Sequence, residues 1–235
     1  MTKVLFLHGF DGQSRGSKSI ALDGAGFTLV PPPDLPYPDM HGAIALAQQV
    51  HDEHRPDVIV GSSLGGAVAL QLQTTAGLVL MAPAISLHGA LNQLAKFGSM
   101  LPESVLKTLP GSDGFLPMAK ISSLVEHVCP FLRNPPSPWA IPTKCIVIQS
   151  RDDQLFSFSA PEGLIRKASG AAPPSDRDVI HQIEQGLVAA GYQPLAGRLV
   201  EAGCDHQLNR AAQGTLPSLH PHAVMVKAVQ ILATI

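Results

Sequence analysis

At 235 residues the chain can bury one sizeable core, and a formal net charge of -2 with only 14% charged residues leaves no electrostatic footprint for nucleic acid or an anionic membrane surface. No apolar run approaches the roughly 18 residues a membrane span needs, and the opening stretch Val4 to Leu7 is too short for a signal peptide, so a soluble, cytoplasmic protein is expected. Cys129, Cys145 and Cys204 are odd in number and far apart, which points to buried reduced thiols rather than a disulfide framework or a zinc site.

Lys3 to Leu7 is a short apolar run ending at His8-Gly9, the signature of a buried parallel strand. A glycine- and serine-rich loop leads to a short helix near Ser19 to Asp23, closed by Gly24. Phe27 to Val30 makes a second strand, stopped by Pro31-Pro32-Pro33 because proline supplies no ladder N–H. Met40, Ala43, Ile44, Ala47 and Val50 recur at helical spacing and predict one apolar face over Asp39 to His54. Val58-Ile59-Val60 and Leu78-Val79-Leu80-Met81 repeat the buried-strand pattern, with an Ala/Leu-rich helix between them. Leu87 to Leu132 carries helical spacing broken by prolines and is read as a helical cap, inserted at about 87–139 and closed by the proline-rich Pro135 to Trp139. Lys144 to Ile148 is a fifth strand; a polar segment with Pro161 and Pro173-Pro174 separates it from a helix at about Asp178 to Ala190. Gly197 to Glu201 is a weaker last strand, and a terminal helix from Pro221 turns Val224, Val229, Leu232 and Ile235 to the core. Strands alternating with helices imply an α/β fold over 1–235, a single domain whose mostly parallel sheet has helices on both faces.

The chemistry concentrates where the strands end. Gly61-Ser62-Ser63-Leu64-Gly65 fits G-x-S-x-G between a strand and a helix, the nucleophile elbow in which a serine on a tight turn stands clear of the sheet. Ser63 is therefore the candidate nucleophile, while Ser62 is out of register and read as packing. A serine hydroxyl needs a base to take its proton, and that base needs an orienting group. Asp152 or Asp153 after the fifth strand and His206 after the last complete the order Ser, Asp, His found in α/β-hydrolases. An oxyanion hole needs two N–H donors; Leu64, directly after the nucleophile, and Phe10, directly after His8-Gly9, are placed to supply them. His8 is read as fixing its loop, and Asp11 and Asp205 as turn residues. His220-Pro221-His222 is read as a solvent-facing helix cap rather than a metal-ligand pair.

His8-Gly9-Phe10, the Gly61-Ser62-Ser63-Leu64-Gly65-Gly66 elbow, the acidic loop Asp152-Asp153-Gln154-Leu155 and the late Asp205-His206 together resemble a small bacterial α/β-hydrolase of the compact YqiA-like esterase group. The resemblance covers the sheet but not Leu87 to Trp139. It implies Ser63 as nucleophile, His206 as general base and then acid, and an aspartate of the Asp152-Asp153 pair, with Asp152 favoured, orienting the imidazole. The expected activity is serine-dependent cleavage of a small-molecule carboxylic ester through an acyl-enzyme, without cofactor or metal. A thioesterase would use the same groups, and a binding protein on the same scaffold would need none of them.

Overall fold

The structure, a computed structural model, describes residues 1–10, 12–86, 123–151, 153, 158–202 and 220–235. Among them lie six strands: β1 (Lys3–Leu7), β2 (Thr28–Leu29), β3 (Val58–Ser62), β4 (Gly77–Met81), β5 (Cys145–Gln149) and β6 (Leu199–Glu201). They form one sheet in the order β2-β1-β3-β4-β5-β6, every neighbouring pair parallel. All six lie where the apolar runs of the sequence predict them. In the central pairs Val4 lies beside Val58, Val58 beside Gly77 and Leu78 beside Cys145, so the strands start level and their carboxyl ends line one edge.

Strand residues alternate between two cores. Leu5, Leu7, Ile59, Leu78, Leu80 and Val147 face one layer of helices; Val4, Phe6, Val60, Val79, Ile146 and Ile148 face the other. That both faces are covered is why the strands read as continuous apolar runs rather than as alternating ones. The first layer holds α2 (Met40–His54), α3 (Leu64–Ala69), α4 (Cys129–Arg133, entered through a π-helical turn at Leu124–Val128) and α5 (Ser159–Gly170). The second holds α1 (Ser17–Gly24), α6 (Pro174–Ala189) and α7 (Pro221–Thr234). Met40, Ala43 and Ala47 of α2 and Val224, Val229 and Leu232 of α7 are buried as their spacing predicts, while Ile235 is only partly covered. No described helix is long and apolar enough to cross a membrane.

Two expectations are corrected. The segment read as polar after β5 contains α5, in which Pro161 sits within the first turn, where an N–H has no intrahelical acceptor and its loss costs nothing. Ile165 is fully buried beneath it, and Arg166 pairs with Glu162 one turn back at 2.8 Å. Likewise α6 begins at Pro174, four residues earlier than its apolar pattern indicates, with the proline as a helix starter rather than a breaker. Of the expected cap, 123–139 are described and begin helically; 87–122 lie outside the described residues. Cys129 and Cys145 are buried and unbridged, and burial pushes the Cys145 thiol up to about 12, which keeps it protonated. Cys204 lies outside the described residues.

Candidate active site

The chain runs outward from β1 to β2 and then returns to the far side of β1 as β3, so the strand order reverses between β1 and β3. A crevice opens beyond the carboxyl ends of strands at such a reversal, and ligands of open α/β sheets bind there. In this molecule the two segments that flank it are His8-Gly9-Phe10 and Ser63.

Ser63 connects β3 directly to α3 with φ 55° and ψ -117°, a left-handed conformation that glycine adopts readily and serine does not. The surroundings hold it there. Its N–H donates to the Met81 carbonyl at 2.9 Å, and its own carbonyl accepts from Gly66 at 3.0 Å and from Ala84 at 3.0 Å. Ala82, the residue between these anchors on β4's exit, is itself left-handed at φ 45°, and its N–H donates to Ile148 of β5 at 2.8 Å. Backbone strain thus collects at the carboxyl edge of β3 and β4, and over-determined hydrogen bonding maintains it. The glycines of the motif answer a second demand, close approach. A Cβ on Gly61 would stand 2.6 Å from the Gly65 carbonyl oxygen, and one on Gly65 would collide with the Leu7 carbonyl oxygen. Strand β1 therefore packs directly on the first turn of α3, and only that contact brings the loop after β1 beside the serine.

At Gly9 a Cβ would lie 3.0 Å from Ser63 Cβ and 3.5 Å from its Oγ, so the backbone of this loop faces the hydroxyl. The loop is held by His8, which is buried. The Leu35 N–H donates to His8 Nε2 at 3.1 Å, which makes Nε2 an acceptor and assigns the proton to Nδ1, where it bonds the Gly9 carbonyl at 2.7 Å. Tyr37 donates its hydroxyl to the His8 carbonyl at 2.9 Å, stacks edge-on against the His8 ring and supports Phe10. Although the Tyr37 ring is only partly covered, its hydroxyl is withdrawn from water, and desolvation pushes the phenol well above its ordinary range, so it remains a donor. His8 is a scaffold of the loop, as its position suggested. Leu64, the first residue of α3, is buried beside Ser63, and its N–H lies in the first helical turn, outside the intrahelical ladder.

On the far side of β4, strand β5 ends at Gln149, and Ser150 and Asp153 after it are both buried. Gln149 Nε2 donates to Asp153 Oδ2 at 2.8 Å, and the Ala202 N–H, just past β6, donates to the Gln149 carbonyl at 3.0 Å. Arg151 turns outward, pairing with Glu201 at 2.9 Å and lying over the Phe158 ring. Asp152, His206, Asp205 and Asp11 lie outside the described residues. Of the residues the sequence singled out, Leu64 follows Ser63 at the head of α3, the Gly9 backbone that leads into Phe10 faces the Ser63 side chain, and Asp153 is buried past the end of β5.

The family model for the alpha/beta hydrolase family matches residues 4–228. The chain belongs to that family. Solved structures agree on the fold. A protein assigned to the alpha/beta hydrolase superfamily from Xanthomonas campestris pv. campestris is similar at 15% identity and a TM-score of 0.53, over 100% of this chain and 98% of that one. A protein assigned as a hydrolase from Agrobacterium vitis S4 gives 16% identity and a TM-score of 0.56, over 98% and 87% of the two chains. Est1E from Butyrivibrio proteoclasticus gives 11% and 0.50, over 99% and 88%. No curated protein sequence matches the chain.

Three features of this hydrolase were not legible in its sequence. Tyr37 sits in a proline-rich run without periodicity, and Gln149 lies one residue past the fifth strand as the sequence predicts it. His222, read as solvent-facing, is partly buried instead. His220 does cap α7, its Nδ1 accepting the His222 N–H at 3.3 Å, but His222 Nε2 is buried with no partner among the described residues. Burial first, then the charges of Lys18 and His220, pull the His222 imidazole down to about 4.

Proposed function

We propose that this hydrolase cleaves a carboxylic ester by an acyl-enzyme route, with Ser63 as nucleophile, His206 as base and an aspartate of the Asp152-Asp153 pair as the orienting acid. The observation that carries the reading is the left-handed Ser63 at the head of α3 with the Gly9 backbone against its Oγ. Oγ attacks the carbonyl carbon while its proton passes to His206, and the N–H groups of Phe10 and Leu64 take the charge that develops on the carbonyl oxygen. Collapse breaks the ester C–O bond, His206 returns the proton to the departing alkoxide, and water then repeats the sequence on the acyl-serine. A thioester follows the same course with a thiolate leaving.

Ser63→Ala lowers turnover of p-nitrophenyl acetate by roughly 10⁴-fold or more while leaving the circular dichroism spectrum unchanged. Retained activity in a folded variant overturns the assignment. A fluorophosphonate probe separates this reading from a non-catalytic binding protein, because only an activated serine forms the adduct. Comparing acyl esters with their thioesters at matched chain length then distinguishes esterase from thioesterase.

A further inference from the structure

The carboxyl end of β5 holds a buried polar pair. Gln149 is fully buried, its backbone is locked by the Ala202 N–H, and it lies beside Glu201 of β6 in the sheet register. Its side-chain amide donates to Asp153 Oδ2 at 2.8 Å, while its Oε1 is buried without a partner among the described residues. An aliphatic side chain would fill this place without leaving a buried carbonyl unsatisfied, so stability alone does not account for a glutamine here. What the amide does is hold one carboxylate in one plane, out of water, where its charge is least screened. The Asp153 N–H closes the turn by donating to the Ser150 carbonyl at 3.4 Å.

We propose that Gln149 is a positioning residue that clamps the Asp153 carboxylate, and that Asp153 rather than Asp152 is the acid that orients the base. The inference rests on the serine-hydrolase reading above. β3, which presents Ser63, and β5 are separated by one strand, about 10 Å between their axes. One imidazole with a hydrogen bond of about 3 Å at each end bridges such a gap. The base follows β6, next to β5. An orienting carboxylate must accept the imidazole N–H in a fixed direction without itself taking the proton. Asp153 is buried and tethered as that task requires, whereas the nearest cation along the chain, Arg151, faces outward on Glu201.

The test uses the full chain with Asp153→Asn, Asp152→Asn and Gln149→Leu, assayed on p-nitrophenyl acetate and by the rate of fluorophosphonate labelling at Ser63. Asp153→Asn lowers kcat by about 10³–10⁴-fold, at least tenfold more than Asp152→Asn, with KM little changed. Gln149→Leu lowers kcat roughly tenfold, and the acidic limb of its kcat/KM profile moves to higher pH. Without the amide the buried carboxylate takes a proton more readily and stops orienting the base at a higher pH. A purely structural pair would lower the melting temperature and leave that limb in place. A larger loss in Asp152→Asn, or a wild-type pH profile in Gln149→Leu, overturns this proposal while labelling of the wild type upholds the hydrolase reading. A wild type that does not label overturns both.

Discussion

At Ser63 the turn from β3 into α3 trades backbone comfort for a serine held at the carboxyl edge of the sheet. A left-handed φ costs a residue with a Cβ about 1–3 kcal/mol, and hydrogen bonds to Met81 and Ala84 at the exit of β4 and to Gly66 in α3 hold it in place. Ser63→Gly removes that cost but frees the unfolded chain, so its unfolding free energy in urea exceeds that of Ser63→Ala by about 1 kcal/mol, although the proposed mechanism leaves neither variant a nucleophile. Equal stability of the two would mean that the turn is not strained. The same balance explains why a serine motif with glycines on both sides is demanding: Gly61 and Gly65 admit the close packing, and the serine between them accepts the strain.

The start of α7 carries a pH sensitivity that the sequence did not reveal. The α7 cap places His222 where its ring is partly buried, Nε2 has no described partner and the imidazole is pulled down to about 4. The unfolded chain binds that proton near 6.5, so its neutral form contributes stability that is complete above about 6.5 and is lost as pH falls toward about 4. Thermal unfolding between pH 7 and pH 4.5 therefore shows a smaller fall in Tm for His222→Gln than for the wild type. Parallel curves would remove His222 as a source of acid sensitivity. Helix α5 teaches a related lesson about elements. Its proline lies in the first turn and its apolar content is thin, so local pattern reads it as loop; burial of Ile165 against the sheet makes it helix.

Across the whole molecule, one buried guanidinium ties the sheet to its far helix. Arg198, fully buried just before β6, donates to the carbonyls of Pro142 at 2.5 Å and Thr143 at 2.8 Å ahead of β5, and reaches Ser169 Oγ of α5 at 3.4 Å. Arg198→Met leaves those carbonyls without a donor and lowers the unfolding free energy by roughly 2–3 kcal/mol in urea denaturation, with p-nitrophenyl acetate turnover at 25 °C preserved because the tie lies at the opposite end of the strands from Ser63. A loss below about 0.5 kcal/mol would show that water replaces the arginine.

The sequence by itself determined the six strands, because buried parallel strands are continuous apolar runs that glycine and proline must interrupt, and it determined the elbow, because strand, G-x-S-x-G and helix are contiguous. Only the tertiary structure decided what stands around that serine. The Leu35 N–H that sets the His8 tautomer comes from 27 residues away, and the Leu7 carbonyl that forbids a side chain on Gly65 comes from another strand. The Gln149 clamp on Asp153 likewise depends on both side chains being buried at one sheet edge, a property of how the strands assemble that no local pattern carries.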